Sequence, residues 1–242
     1  MHENIGNIKV CIDDSYTILN QFRKALEEAN QKTIFFVNAH CYNLAQKDEF
    51  YREILNDSDY VLNDGIGIGL AAKLFNVRLS ENHNGTDFTP RVLEIANEKK
   101  SRVFLLGGEE GIAKKAAFNI KKRYPGISKI EYQSGFFQDN SKVISKINDF
   151  NPDILIVGMG VPLQEKWIEQ FKEELNCTLL LAVGAFLDFT ANKVKRAPII
   201  FRNLKLEWVY RLIQEPKRLW KRYLLGNLLF IYYIFNKRLK ER

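Results

Sequence analysis

VLNDGIGIGLAAKLFNVRLSENHNGTD (residues 61–87) is the stretch whose reading decides the fold. Tyr60-Val61-Leu62 is a short apolar run that predicts a buried strand. Asn63-Asp64-Gly65 then turns the chain, and apolar residues recur at helical spacing from Ile66 to Phe75. An Asp on a strand-to-helix turn, amid glycines, stands where open α/β sheets place their ligands, in the crevice beyond the strand ends. Asp is also a favoured helix cap, and Asp-Gly pairs are common turn formers. Residues 63–65 alone leave both readings of Asp64 open.

Outward from this stretch the same alternation repeats. Strands are predicted at 8–12, 33–38, 59–62, 102–106, 130–133, 153–157 and 178–183. Helices are predicted at 15–30, 42–55, 65–75, 87–99, 110–124, 141–150 and 163–174. Asp14 or Ser15 caps the first helix, and Thr86 or Asp87 stands near the start of another. Strand–helix alternation at this spacing predicts an α/β, Rossmann-like fold: a mostly parallel sheet with helices on both faces. Nearly every strand ends in glycine: Gly107-Gly108, Gly135, Gly158 and Gly160, Gly184. Tight turns need such residues anyway, and bare amides beside helix N-termini also suit a phosphate group. Neither GxGxxG nor a Walker loop occurs in the right context, which weighs against a dinucleotide or ATP site.

Composition separates the body from the tail. The 46% hydrophobic and 27% charged content is that of a soluble globular chain. Of the net charge of +7, residues 195–242 hold thirteen Lys or Arg against three Glu, which is +10 and leaves −3 for everything before them. A basic tail on a mildly acidic body implies a polyanionic partner: nucleic acid, anionic lipid or a pyrophosphate. Cys11, Cys41 and Cys177 are scattered and odd in number, arguing for a reducing compartment and against a disulfide framework or zinc site. No signal peptide is expected from MHENIGNIKVCIDD, and the apolar run 223–235 is too short to span a bilayer.

Helices rich in Arg, Lys, Trp and Tyr are predicted at 203–212 and 216–235, without strands between them. The domain reading is therefore a core over 1–196 and a basic amphipathic appendage over 197–242. Such helices suit an anionic membrane surface; a helix docked on its own domain with a solvated basic face fits equally.

Seven segments carry a resemblance: NDGIGI (63–68), the GxD of Gly85-Thr86-Asp87, FLLGG (104–108), GFF (135–137), GMGVPLQEKWI (158–168), VGAFLDFTANKVKRAP (183–198) and LEWVYRLIQEPKRLWKRYLLGN (206–227). In this order and spacing they resemble the WecG/TagA/CpsF glycosyltransferases, glycosyltransferase family 26. The resemblance implies a peripheral enzyme at the cytoplasmic membrane face that moves a sugar, with inversion, from a UDP-sugar donor onto a polyprenyl-diphosphate-linked saccharide acceptor. The sugar is of the N-acetylmannosamine type or another hexose, and the products serve teichoic acid, common-antigen or capsule synthesis. It implies no required metal or other cofactor and an appendage that helps complete the site. Asp64 matches the family's general base, and Gln164 an active-site Gln in a PxQE motif that also contains Glu165. Asn38, His40 and Asn82 stand where Thr, Asn and Arg are usual, around the sugar and diphosphate; Phe136 replaces a frequent Tyr and offers a ring to uracil.

The residues support that chemistry independently. An inverting transfer needs a carboxylate to take the acceptor hydroxyl proton, and amide donors or cations on the leaving UDP. Asp64 supplies the first. The glycine loops, with Arg211, Arg218, Arg222 and Arg196 as candidates for the diphosphate, supply the second. No DxD-type metal motif is present, and Asp13-Asp14 reads as a cap. A non-enzymatic nucleotide- or nucleic-acid-binding module is the alternative, but it gives Asp64 and the PLQEKW segment no role, so nucleic acid is not an expected partner. The sequence leaves a homo-oligomer open, and it does not choose between N-acetylmannosamine and a hexose or uronate donor.

Overall fold

A computed structural model of the chain describes residues 1–203 and 206–240, with the backbone alone at Asn203. The chain begins with an antiparallel hairpin, β1 (His2–Ile5) and β2 (Ile8–Cys11), turning through Gly6 at φ 63°. Helix α1 (Ser15–Glu28) follows, capped by the Asp14 side chain, which accepts from the Thr17 amide. Then come β3 (Lys32–Val37), α2 (Ala39–Lys47), α3 (Glu49–Asp57), β4 (Tyr60–Asn63), α4 (Ile66–Leu74) and α5 (Gly85–Glu98). The second half runs β5 (Arg102–Gly107), α6 (Ile112–Arg123), β6 (Lys129–Gln133), α7 (Asn140–Phe150), β7 (Ile154–Gly158), α8 (Leu163–Phe171), β8 (Leu179–Ala182) and α9 (Phe186–Thr190).

Strands β3 to β8 form one sheet in the order β4-β3-β8-β7-β5-β6, every pairing parallel. A parallel sheet is buried on both faces, so its strands read as continuous apolar runs. Alternation decides which helices each residue meets. Phe35, Val37, Phe104, Leu106, Leu155 and Val157 join one core with residues of α2, α3, α4, α7 and α8. Ile34, Phe36, Val103, Leu105, Ile154 and Ile156 join the other with residues of α1, α5, α6 and α9. This is the Rossmann-like, doubly covered sheet expected from the sequence. Its parallel sense brings all six strand ends, and the loops that follow them, to one edge.

Four local expectations change. The helix expected over 42–55 is two helices, because Asp48 is extended (φ −120°, ψ 100°) and caps α3 by accepting from the Tyr51 amide. Its carboxylate is also held by Lys166 Nζ at 2.6 Å, so a contact from α8 fixes the break. The helix expected over 87–99 starts earlier, at Gly85, and is capped by Asn84, so Thr86 and Asp87 stand in its first turn. The helix expected over 203–212 is α10 (Ile199–Asn203) and α11 (Glu207–Gln214), with residues 204 and 205 outside the described ones. The helix expected over 216–235 is α12 (Pro216–Trp220), a π-helical turn at Lys221–Leu225 and α13 (Gly226–Lys240).

The tail packs against the body. Phe230 and Ile234 of α13 are buried in the same core as α2 and α4. The Phe230 ring meets Tyr42 edge-on at 5.3 Å, and Asn43 Nδ2 donates to the Gly226 carbonyl at 2.7 Å.

Candidate active site

The strand-end edge opens into a cleft of about 1380 Å³. It is walled by the loops after β3, β4, β5, β6, β7 and β8 and roofed by α11 and α12. A smaller chamber of about 380 Å³ lies between α4, α11 and α13. Both spaces are bounded by Asn38, Asp64, Thr86, Phe189, Arg211 and Arg222. Asp64 therefore stands where the two meet.

Asp64 does not cap α4. Gly65 holds that position, at φ 88° and without a side-chain cap bond, so the carboxylate is left for other work. The Asp64 amide donates to the Val37 carbonyl at 2.8 Å, tying the turn to the neighbouring strand β3. Its carboxyl is sunk among protein atoms at the cleft floor, and this burial lifts its pKa to about 6. The Asn38 amide opposes the rise, Glu207 adds to it, and Arg222 and Arg211 again oppose it. A carboxylate titrating near 6 is a stronger base than an exposed Asp and is still ionised at neutral pH.

The cations opposite come from the tail. Arg211 stacks over the Phe189 ring at 5.3 Å, and the buried Nε atoms of both Arg211 and Arg222 have no hydrogen-bond partner. A buried donor without a partner is costly, and an anion seated in the cleft removes that cost. Arg218 also lines the cleft but is paired with Glu215, its Nε 2.8 Å from Oε2. Arg196 is paired with Asp87 at 2.6 Å and with Glu207 at 3.5 Å and lines neither space.

The glycine loops are held together by Gln164. Its buried Oε1 accepts from the Gly160 amide at 3.2 Å and the Gly184 amide at 3.0 Å, while Nε2 donates to Glu165 at 2.8 Å. Gln164 thus joins the loops after β7 and β8, a positioning part beside any contact it makes to a ligand. Gly108, Gly135, Gly158 and Gly160 line the cleft, and Phe136 stands exposed at its mouth.

Two expected site residues lie elsewhere. Gly107 does not reach the cleft wall: a Cβ there would sit 2.3 Å from the Gly158 carbonyl oxygen, so its glycine serves the close approach of β5 and β7. Glu165 is wholly buried behind the loop, where burial raises its pKa to about 7. Asn38 and Asn82 reach the site but commit their carbonyls to backbone. Asn38 Oδ1 accepts from the His40 and Cys41 amides and Asn82 Oδ1 from Gly65 N at 2.7 Å. The Asn38 amide nitrogen serves Asp64, and that of Asn82 remains for a sugar. His40 lines the smaller chamber, where burial and then Arg222 lower its pKa to about 4, so it is a neutral imidazole there.

Three contributors were not singled out in the sequence. Glu207 and Arg202 line the smaller chamber from α11 and α10, and Asn84 reaches Asp64 itself. Only Asn84 had a local signal, the polar NHN run just before Gly85.

Residues 4–242 match the family model for the Glycosyl transferase WecG/TagA/CpsF family. The chain is a WecG/TagA/CpsF glycosyltransferase. It is 34% identical over 223 residues to the N-acetylglucosaminyldiphosphoundecaprenol N-acetyl-beta-D-mannosaminyltransferase of Bacillus subtilis, covering 92% of this chain and 87% of that protein. A protein of the same name from Staphylococcus aureus strain MW2 is 34% identical over 195 residues, 79% of this chain and 77% of its own. Within this WecG/TagA/CpsF chain no described helix is long and apolar enough to cross a membrane. Among the described residues no group of three or more His, Cys, Asp or Glu is disposed to hold a metal ion.

Proposed function

We propose that this enzyme transfers a sugar of the N-acetylmannosamine type, or another hexose, from a UDP-sugar to a polyprenyl-diphosphate-linked saccharide, inverting the anomeric centre, with Asp64 as general base. The observation that carries this reading is the placement of Asp64 at the junction of the two spaces, across from Arg211 and Arg222. The names of the relatives, which describe mannosaminyl transfer onto a diphosphoundecaprenol-linked N-acetylglucosamine, supply the donor and acceptor to try first.

The larger cleft suits the donor. Its glycine loops bare backbone amides toward a diphosphate, and Phe136 offers a ring face for the base. The smaller chamber, lined by Ile66, Leu70, Phe230, Ile231 and Ile234 as well as by the arginines, suits an acceptor that is a diphosphate at one end and a prenyl chain at the other. The acceptor hydroxyl gives its proton to Asp64 as its oxygen attacks the anomeric carbon and UDP departs. Arg211 and Arg222 meet the growing charge on the leaving diphosphate. In this scheme the arginines do the work that a divalent ion does elsewhere, so transfer is expected to continue in EDTA.

The tail places the enzyme on the membrane. Leu228, Ile231, Tyr232, Phe235 and Leu239 are exposed on α13 at helical spacing. Ile199, Ile200 and Ile213 are exposed nearby in the chain, and Lys237, Arg238 and Lys240 close the helix. An apolar stripe beside cations is the pattern of a helix lying in an anionic interface.

The test is transfer from a panel of labelled UDP-sugars to a short-chain polyprenyl-diphosphate N-acetylglucosamine, with EDTA, for wild type and Asp64→Asn. Transfer from one donor, lost in the variant while UDP binding persists, is the expected result. Full activity of Asp64→Asn would remove the base assignment.

A further inference from the structure

The base rests on one neighbour that the chemistry above does not use. Asn84 Nδ2 donates to Asp64 Oδ1 at 3.0 Å. Its other end is fixed as well, since Asn84 Oδ1 accepts from the Thr86 amide at 2.9 Å and so caps α5. With a backbone N–H on one side and a carboxylate on the other, only one orientation of the amide satisfies both.

The segment carrying Asn84 is strapped to the strand that carries Asp64. His83 N donates to the Asn63 carbonyl at 2.9 Å, and His83 Nδ1 lies 3.0 Å from Asn63 Oδ1. Asn63 Nδ2 in turn donates to the Glu81 carbonyl at 3.0 Å. Asn63 and His83 are both buried, so these bonds are shielded from water. The residues on either side of the Asp64–Asn84 contact are therefore held on a common frame.

We propose that Asn84 is a positioning residue of the base: it holds Asp64 Oδ1, leaves Oδ2 to take the acceptor proton, and does so without adding a charge. This rests on the reading of Asp64 as base. A neutral donor suits the task. An Arg or Lys at the same distance would fix the carboxylate equally well but would hold its pKa down and weaken it as a base. The charged groups that already bear on Asp64 are Glu207, Arg211 and Arg222, with Arg202 and Asp87 on the wall of the smaller chamber. The uncharged donors to the carboxylate are the Asn84 and Asn38 amides, and Asn84 is the one that holds Oδ1 at 3.0 Å.

Two substitutions separate positioning from capping. Ser caps helices as well as Asn, so Asn84→Ser keeps the start of α5 while losing the donor to Asp64. Asn84→Asp also keeps the cap but sets a second carboxylate against the first. UDP affinity and melting temperature are expected to stay at wild-type values in Asn84→Ser, with KM for the acceptor little changed. Its kcat at pH 7 falls about tenfold, and the acid limb of kcat/KM against pH moves upward, because the ionised base has lost a hydrogen bond. Asn84→Asp moves the limb further in the same direction. If both variants keep the wild-type profile and kcat while Asp64→Asn is inactive, the role of Asn84 is refuted and that of Asp64 survives. If Asp64→Asn is active, both fall together. Loss of UDP binding or of cooperative unfolding in both Asn84 variants would make the residue a structural cap and overturn the proposal.

Discussion

Replacing Asp64 by Asn should make the protein more stable at the pH where the enzyme works. The Asp64 carboxyl has its pKa raised from 3.8 to about 6, chiefly by burial. The folded state therefore holds that proton more tightly than the unfolded chain. The contribution of Asp64 to stability is therefore greatest below pH 3.8, falls as pH rises between 3.8 and about 6, and stays lower above that. At about 1.4 kcal/mol per pH unit the full difference is roughly 3 kcal/mol. Asn carries no charge to bury, and its Oδ1 can still accept from Asn84. Against this, the variant loses the attraction of Arg222 and Arg211 for the carboxylate. A gain of about 1–3 kcal/mol at pH 7.5 follows, shrinking toward zero near pH 4. Urea unfolding followed by the fluorescence of the three tryptophans, at pH 7.5 and pH 4.5, measures both ends. A variant less stable than wild type at pH 7.5, or an advantage that does not change with pH, would refute the claim that the ionised carboxylate is held at a cost. The expected pairing, a more stable protein without transferase activity, is the signature of a group kept for chemistry and not for the fold.

Transfer in the wild type should fall as pH drops through about 6, since Asp64 must be ionised to accept a proton; a kcat/KM profile flat from pH 5 to 8 would count against it. Gln164→Leu leaves the amides of Gly160 and Gly184 without their acceptor and is expected to cost roughly 2–5 kcal/mol. A loss of UDP affinity should accompany it in a titration, and unchanged stability would show that Gln164 does not join the two loops. Glu165→Gln should stabilise the fold above pH 7, because the buried carboxyl, raised to about 7, no longer has to ionise; an equal effect at pH 5 would contradict this. Removing residues 197–242 should abolish vesicle binding and transfer and lower the melting temperature of a core that still folds, since Phe230 and Ile234 leave the shared core. Full activity in that truncation would end the role of the tail.

The strands were legible because a parallel sheet needs unbroken apolar runs, and KTIFFV, RVFLLG and ILIVG have few other uses. Asp64 was legible for a similar reason: it ends a run and precedes a glycine. What could not be read locally depends on partners distant in sequence. Asp48 breaks a helical pattern because it caps α3 and holds Lys166, 118 residues away. Gly107 and Glu165 sit in segments that border the site, yet one faces Gly158 and the other the core, and side-chain direction is set by packing. Asn84 lies 20 residues from Asp64 and meets it only because His83 is strapped to β4.

The arginines carry this dependence furthest. The body supplies Asp64, neutral glycine loops and lysines already paired with carboxylates, Lys166 with Asp48 and Lys193 with Glu109, whereas Arg211 and Arg222 lie on the elements that precede α13. Helix α13 is anchored by Phe230 and Ile234, while its opposite side leaves Leu228, Phe235 and Leu239 exposed. The tail that docks on the body through α13 thus also carries Arg211 and Arg222 to the cleft that holds Asp64. On the proposed reading, the apolar stripe that meets the membrane and the side chains that hold the diphosphate belong to one continuous tail. Substituting Leu228, Phe235 and Leu239 together by Ser should therefore reduce vesicle binding and transfer to a lipid-embedded acceptor, while UDP affinity and transfer to a short-chain soluble acceptor stay near wild type. Equal loss with both acceptors would show that the stripe serves the site through the fold and not through the membrane.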